Sequence, residues 1–252
     1  LKAQQEFVNY ENSGSGLMEL SHRGKYFKPV IEKAENNVKE LFGLDDSYSV
    51  LFIQGGASMQ FAMIPMNLLN GGTADYVDTG VWSSKAAKEA KMFGTANIVA
   101  SSKETKYDHI PAASEWNMTP NAAYLHITSN NTIAGTQYQT LPTAPAGVPL
   151  IADMSSDIMS RTFDATKFDM IYAGAQKNMA PAGLTVVIIR EDLLGTEKEF
   201  TPVMLSYKEM AENDSMYNTP PCYAIYVAGL VYKWALKLGG LEAMKERNEK
   251  KA

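Results

Sequence analysis

The sequence predicts an α/β domain, with a mainly parallel sheet sandwiched between helices in three layers, α/β/α. Three observations predict it. Short apolar runs alternate along the chain with amphipathic stretches of helical period. Those runs lack the strict apolar–polar alternation of a half-exposed sheet, so both of their faces are buried. The chain has 252 residues, 45% hydrophobic and 20% charged, which suits one large α/β domain or two small ones.

The elements follow in order. Lys25 to Gly43 predicts a helix: Val30, Ile31, Ala34, Val38, Leu41 and Phe42 recur at helical spacing, and Gly43 stops it. Ser49 to Gln54 reads as a buried strand. The turn Gly55-Gly56-Ala57-Ser58 then leads into a helix from about Met59 to Leu69. Ala74 to Asp78 is a strand, and Ser83 to Phe93 a helix with Ser83 or Ser84 as its N-cap. Further strands are expected at Ala96–Ala100, Ala122–Thr128, Val148–Ala152, Met170–Ala173 and Leu184–Arg190. Pro220-Pro221 opens a long helix that runs to about Leu238 and ends at Gly239-Gly240. A charged helix follows from Leu241.

Composition excludes several classes. Net charge is −5 with no basic block, so nucleic acid is not an expected partner. A single cysteine, Cys222, rules out an internal disulfide framework and fits a reducing cytoplasm. No apolar run approaches the ~20 residues of a membrane span. The amino-terminal residues are polar and acidic, unlike a signal peptide. Fourteen methionines read as adaptable core packing.

In a parallel sheet, ligands bind at the carboxyl ends of the strands. Lys177 stands there, in the small-residue loop Ala173-Gly174-Ala175-Gln176-Lys177-Asn178, and Asp153 ends an apolar run 24 residues upstream. A lysine and an aspartate on two strand ends suit pyridoxal phosphate chemistry. The amine forms a Schiff base with the aldehyde, and the carboxylate keeps the pyridine nitrogen protonated. Either residue alone reads as a surface charge or a turn former.

Other groups fall where such a cofactor needs them. The turn carrying Ala57 and Ser58 opens a helix, where backbone N–H groups and the helix dipole favour an anion. It has neither the Walker nor the GxGxxG spacing, and by itself is equally a plain strand-to-helix connection. Trp82 follows a strand end and can stack on a heteroaromatic ring, or fill core. Thr132 follows the strand ending near Thr128 and offers a hydroxyl to a cofactor or to its own turn. Gln176 can donate to a phosphate. Asn218-Thr219 precedes the double proline, where capping explains it locally. Arg23, beside His22, is a candidate carboxylate or phosphate clamp, with a surface arginine as the alternative. His126, inside a strand, reads as a satisfied structural histidine.

The segments SHRGKYF, FIQGGASMQFAMIPMNLL, ADYVDTGVWSSKAAKEAK, NNTIAG, ADMSSDIMSR, YAGAQKNMAPAGLTVVIIREDLL and MYNTPP together resemble the phosphoserine aminotransferases. These are class V pyridoxal phosphate transaminases with the fold-type I, aspartate aminotransferase-like large domain. The likeness runs in order over essentially the whole chain. It implies reversible amino transfer between L-glutamate and 3-phosphohydroxypyruvate, giving O-phospho-L-serine and 2-oxoglutarate in serine biosynthesis. A side reaction on 4-phosphohydroxy-L-threonine, in pyridoxine biosynthesis, is also implied.

The resemblance also implies residue roles. Lys177 is the Schiff-base lysine and proton shuttle. Asp153 pairs with the ring nitrogen, Trp82 stacks on the ring, and Thr132 contacts its hydroxyl region. Ala57, Ser58 and Gln176 hold the phosphate. Asn218 and Thr219 reach the cofactor phosphate of the neighbouring subunit in a homodimer. His22 and Arg23 receive the side-chain anion of the substrate.

Two departures accompany the likeness. Some bacterial members carry arginine where this chain has Ser58. Family members also continue for on the order of a hundred further residues, a usual domain size, as a small carboxyl-terminal domain. Residues 1–240 are therefore expected to form the cofactor-binding domain, with the first ~15 residues packing toward the small domain and 241–252 leading into it. Two alternatives stand beside this activity: a cofactor-binding or dimerisation fragment without turnover, and another class V aminotransferase. A desulfurase would need a mobile nucleophilic cysteine, which Cys222 at a helix start does not offer.

Overall fold

The computed structural model describes residues 2–251. A short helix α1 (Lys2–Val8) precedes α2 (Lys28–Phe42), β1 (Tyr48–Ile53), α3 (Gly56–Leu68), β2 (Thr73–Asp78), α4 (Val81–Ala90) and β3 (Thr95–Ser101). Then come β4 (Leu125–Thr128), the small hairpin β5 (Asn130–Asn131) and β6 (Thr136–Gln137), β7 (Leu150–Asp153), β8 (Met170–Gly174) and β9 (Thr185–Arg190). Helices α5 (Tyr207–Glu212), α6 (Cys222–Lys237) and α7 (Gly240–Glu249) complete the chain. All seven expected strands form, with boundaries shifted by one to three residues.

The seven join in one sheet of order β1-β9-β8-β7-β4-β2-β3. The pairs among β8, β7, β4, β2 and β3 are parallel, and β9 runs against both β8 and β1. The reversal of β9 makes the Lys177 loop the connection of an antiparallel pair. Alternate side chains feed two cores. Helices α2, α6 and α7 cover one face, where Ile31, Val38, Ala228 and Tyr232 meet Phe52, Leu125, Leu150 and Ile171. Helices α3, α4 and α5 cover the other, where Phe61, Ile64, Ala86 and Met210 meet Leu51, Tyr76, Ile151 and Val187. Burial of both faces is why the strands read as continuous apolar runs.

Helix starts correct one expectation. Helix α4 begins at Val81 with Gly80 as N-cap, not at Ser83 or Ser84. Ser83 lies one turn inside, and its hydroxyl folds back to accept the N–H groups of Thr79 and Gly80, each at 2.9 Å. The serine pattern was a true start signal read at the wrong position of the capping box. Sequence periodicity was silent on α1, α5 and the β5–β6 hairpin, which are too short to develop a pattern.

One buried amide clamps the α5 segment to α3. Asn67 Nδ2 donates to the Leu205 carbonyl (2.8 Å), and Asn67 Oδ1 accepts the Tyr207 N–H (3.0 Å). Asn67→Ala strands both backbone groups away from water. It is expected to lower the unfolding free energy by about 2 kcal/mol, read as a lower urea midpoint; an unchanged midpoint would refute the clamp.

Candidate active site

Every element with expected chemistry ends at one edge of the sheet. Strands β7 and β8 are parallel neighbours, with Asp153 in register with Tyr172, so the loops that leave them emerge side by side. Asp153 is the last residue of β7 and only 5% exposed. Ser155 N–H donates to Asp153 Oδ1 (2.9 Å), while Ser155 Oγ accepts the Gly174 N–H (3.0 Å) at the end of β8. Burial pushes the Asp153 carboxyl up, and the Ser155 donors and the Lys177 charge pull it back toward the ionised form.

Lys177 is exposed in the turn after β8. The turn is closed by Met179 N–H to the Ala175 carbonyl (3.1 Å) and fastened to the Asp153 loop by Asn178 Nδ2 to the Ile158 carbonyl (2.8 Å). With Gln137, Ser156, Arg161 and residues of α7, Lys177 lines a cleft of about 750 Å³. Gln176 folds back over Gly174: a Cβ built at Gly174 would lie 2.6 Å from Gln176 Oε1. A second acid supports the edge. Asp157 is buried, accepts from Ser129 Oγ and from Gln137 Nε2 (3.1 Å), and faces Arg161 at 3.6 Å. Burial pushes this carboxyl up as well. Ser129 Oγ also donates to the Asp153 carbonyl (3.0 Å), so the hairpin and the Asp153 loop are one bonded unit.

Two helix starts face the same edge, because β1 and β2, which they follow, run in the same direction as β7 and β8. Gly55 sits at φ +95°, where a Cβ would strike Met59, so glycine is required at this N-cap. Beyond it the N–H groups of Gly56, Ala57 and Ser58 precede the first helical bond, from Met59 N–H to the Gly55 carbonyl (3.4 Å), and are free to bind an anion. Trp82 stands half-buried in the first turn of α4, with the Lys85 amine 4.6 Å from its ring centroid. That turn is held by Asp78, which accepts from the hydroxyls of Ser83 (3.0 Å), Ser84 (2.6 Å) and Ser101 (3.0 Å).

Three expected residues lie outside this cleft. Thr132 is exposed at the tip of the β5–β6 hairpin, whereas Thr128, in register with Asp153, is buried with its Oγ1 unpartnered. Asn218 and Thr219 line a separate, mostly apolar cavity of about 280 Å³ with Gln54, Gly55, Met59 and Met204. His22 and Arg23 lie before α2, which runs antiparallel to β1, so they belong to the same sheet edge; Arg23 is exposed and His22 Nε2 is buried without a partner. Cys222 is half-buried, and burial raises its thiol, which argues against a nucleophilic cysteine. His126 is buried inside β4, but only half satisfied: Nε2 pairs with the Tyr172 hydroxyl, and Nδ1 has no partner.

The sequence reading missed Ser155, Asp78 and Asp157. Ser155 had a signal, a serine two residues after an aspartate, which is an Asx-turn spacing. The donors to Asp78 and Asp157 come mostly from distant segments and had none.

Comparison with known proteins agrees with this geometry. The aminotransferase class-V family profile matches residues 1–252. A phosphoserine aminotransferase of Chromobacterium violaceum is 52% identical over 252 residues, covering 100% of this chain and 70% of the relative. The chain belongs to the class V aminotransferases, among the phosphoserine aminotransferases. The solved phosphoserine aminotransferase of Bacillus circulans subsp. alkalophilus superposes with a TM-score of 0.96 at 51% identity, over 100% of this chain and 70% of that one. The PLP-bound phosphoserine aminotransferase of Trichomonas vaginalis superposes at 0.94 with 40% identity, over the same shares.

The buried Asp153 charge carries a stability consequence. Its folded carboxyl lies above the ordinary value, so ionisation at neutral pH opposes folding of the ligand-free protein, and stability from this group falls as pH rises through that carboxyl. Asp153→Asn keeps an acceptor for the Ser155 N–H without the charge. It is expected to raise the urea midpoint of the ligand-free protein at pH 7, with the gain fading as acid protonates the wild-type carboxyl. A lower midpoint at pH 7 would contradict the burial argument.

Proposed function

We propose that this chain carries out reversible amino transfer between L-glutamate and 3-phosphohydroxypyruvate, giving O-phospho-L-serine and 2-oxoglutarate, with pyridoxal 5′-phosphate as cofactor. The observation that carries the reading is the Asp153–Lys177 pair: a buried carboxylate and a cleft-lining amine on adjacent parallel strand ends, close enough for the amine's charge to act on the carboxyl. Membership among the phosphoserine aminotransferases supplies the substrates.

The donor set fits the cofactor. The free N–H groups of Gly56, Ala57 and Ser58, with Gln176, would hold its phosphate. Trp82 would stack on the ring, and Asp153 would face the ring nitrogen. Thr132 would approach the ring hydroxyl, and the buried, unpartnered Thr128 Oγ1 and Asn131 Oδ1 are further polar atoms at the same edge. When bound, the cofactor supplies an aldehyde that takes up and returns the amino group, and a ring that withdraws electrons.

The chain's own residues do the rest. The Lys177 amine would hold the cofactor aldehyde, and its position in the cleft suits it to move the proton at the substrate Cα. Asp153 would hold a proton on the ring nitrogen, and an anion inside the sheet is better suited to this than a solvated one. The cation of Arg23, beside His22, is suited to orient the substrate's side-chain anion. Ser58 offers no charge there, so recognition of the substrate phosphate falls to these residues and to neighbours outside the cleft described. The same anion recognition would admit 4-phosphohydroxy-L-threonine.

The working unit is a homodimer in this reading. Asn218 and Thr219 stand beside a cavity apart from the Lys177 cleft, and Met59, Val203, Met204 and Tyr217 near them are each about 40% exposed, apolar surface suited to a second copy. Residues 1–240 would be the cofactor domain, and α7, whose Lys245, Asn248 and Glu249 wall the cleft, would lead to a further domain. No helix among the described residues is long and apolar enough to cross a membrane.

The test is spectroscopic. Added pyridoxal phosphate should give a visible band that borohydride removes, leaving a label on Lys177, and glutamate should convert the band to that of the amine form. Lys177→Ala should abolish band and label and reduce turnover by on the order of 10³-fold or more, with the fold retained by circular dichroism. Turnover that survives in Lys177→Ala would overturn the assignment.

A further inference from the structure

Behind Asp153 lies a buried polar chain that the reaction derived above does not use. Tyr172 on β8 is the register partner of Asp153 on β7, and His126 on β4 is the register partner of Ile151. Directly paired residues of parallel strands share a face, so Tyr172, Asp153 and His126 lie on the same side of the sheet. The phenol of Tyr172 crosses β7 to bring its oxygen 2.9 Å from His126 Nε2. The imidazole also lies against Tyr76, with ring centroids 5.0 Å apart and planes 30° apart, and Tyr76 in turn shares a 2.7 Å hydrogen bond with Tyr124. His126, Tyr172, Tyr76 and Tyr124 are each no more than 1% exposed.

The proton arrangement follows from what is left unpaired. His126 Nδ1 is buried without a partner in hydrogen-bond geometry. Burial lowers the imidazole to about 3, so the ring is neutral and carries one proton. Were that proton on Nδ1, a buried N–H would be orphaned, the rarer and more costly defect. With the proton on Nε2, only a lone pair is orphaned, and Nε2–H donates to the Tyr172 oxygen. The phenol's own proton is then free for another acceptor. Burial first, and then the charge of Asp153, push the Tyr172 phenol well above its ordinary range, and Asp153 is the one carboxylate among the described residues that acts on it.

We propose that Tyr172, oriented by His126, is a positioning residue that donates its hydroxyl to the Asp153 carboxylate and so keeps that carboxylate anionic and aimed at the ring nitrogen. The inference rests on the proposed function and deepens it. A hydrogen bond to the ionised form offsets part of the cost of burying the charge. Ser155 N–H holds one carboxylate oxygen from the loop side, and Tyr172 supports the group from the neighbouring strand on the same face of the sheet. The arrangement is that of an outer-shell donor that fixes a ligand's orientation and basicity.

Two measurements test it on the full chain. The first needs no cofactor. The chain has three histidines, so a long-range ¹H–¹⁵N correlation of histidine-labelled protein, with His126 identified by its loss in His126→Gln, reads the tautomer directly. The Nε2–H form is expected, and the Nδ1–H form would overturn the proposal. The second uses Tyr172→Phe. Lys177 should still be labelled by borohydride, while the dissociation constant for pyridoxal phosphate rises and kcat falls, each about tenfold, with KM for glutamate nearly unchanged. A Tyr172→Phe protein that loses stability to urea but keeps wild-type cofactor affinity and kcat would assign the tyrosine a packing role and sink the idea. Absence of label or turnover in the wild type would instead sink the functional reading and leave the tautomer result standing.

Discussion

A carboxylate held inside the sheet is the constraint on which the other features of this site depend. Asp153 ends a central parallel strand where water is excluded, and an isolated charge there is unfavourable by several kcal/mol. It persists because the fold offsets the charge: the Ser155 N–H bonds one carboxylate oxygen, and the amine of Lys177 acts on it from the neighbouring loop. Those partners come from the loops after β7 and β8, so the buried charge is compensated only once these strands are in register. The site and the sheet are therefore one cooperative unit.

The antiparallel strand β9 has a mechanical part in this. If β8 were followed by a crossover helix, Lys177 would sit at a helix start. A strand that turns straight back instead gives a short connection, fastened at its base by Ala175 N–H to the Leu184 carbonyl (2.9 Å) and at its side by Asn178 to the Asp153 loop. An exposed amine on a fastened turn is free to move through its own side-chain torsions while its backbone stays fixed. That division suits a group that must bind, let go and carry a proton.

Polar satisfaction is uneven, and the unevenness is informative. Asp78, deep behind Trp82, accepts from several hydroxyls, which is the pattern of a structural anchor. Thr128 and Asn131, at the carboxyl edge, keep buried oxygens without partners. Folded proteins rarely leave such atoms unpaired, and sites that receive a polar ligand are where they are tolerated.

Much of the fold was legible in the sequence. Buried strands had to be apolar and short, surface helices amphipathic, and turns rich in glycine and proline, so all seven strands and the helices from α2 onward, α5 excepted, could be read from local pattern. Lys177 and Asp153 were legible too, since each closes an apolar run and the motifs around them are specific. The sequence by itself therefore determined the fold class, the family and the principal chemical groups. Tertiary structure decided what depends on strands distant in the chain: the reversal of β9, the bond from His126 to Tyr172 beneath Asp153, the two-sided hold on Asp157, and the separation of Asn218 and Thr219 from the Lys177 cleft. Hydrophobic pattern is a local signal set by which face is buried. Hydrogen-bond partners across a sheet are set by register, and no local pattern in a single chain encodes which strands become neighbours.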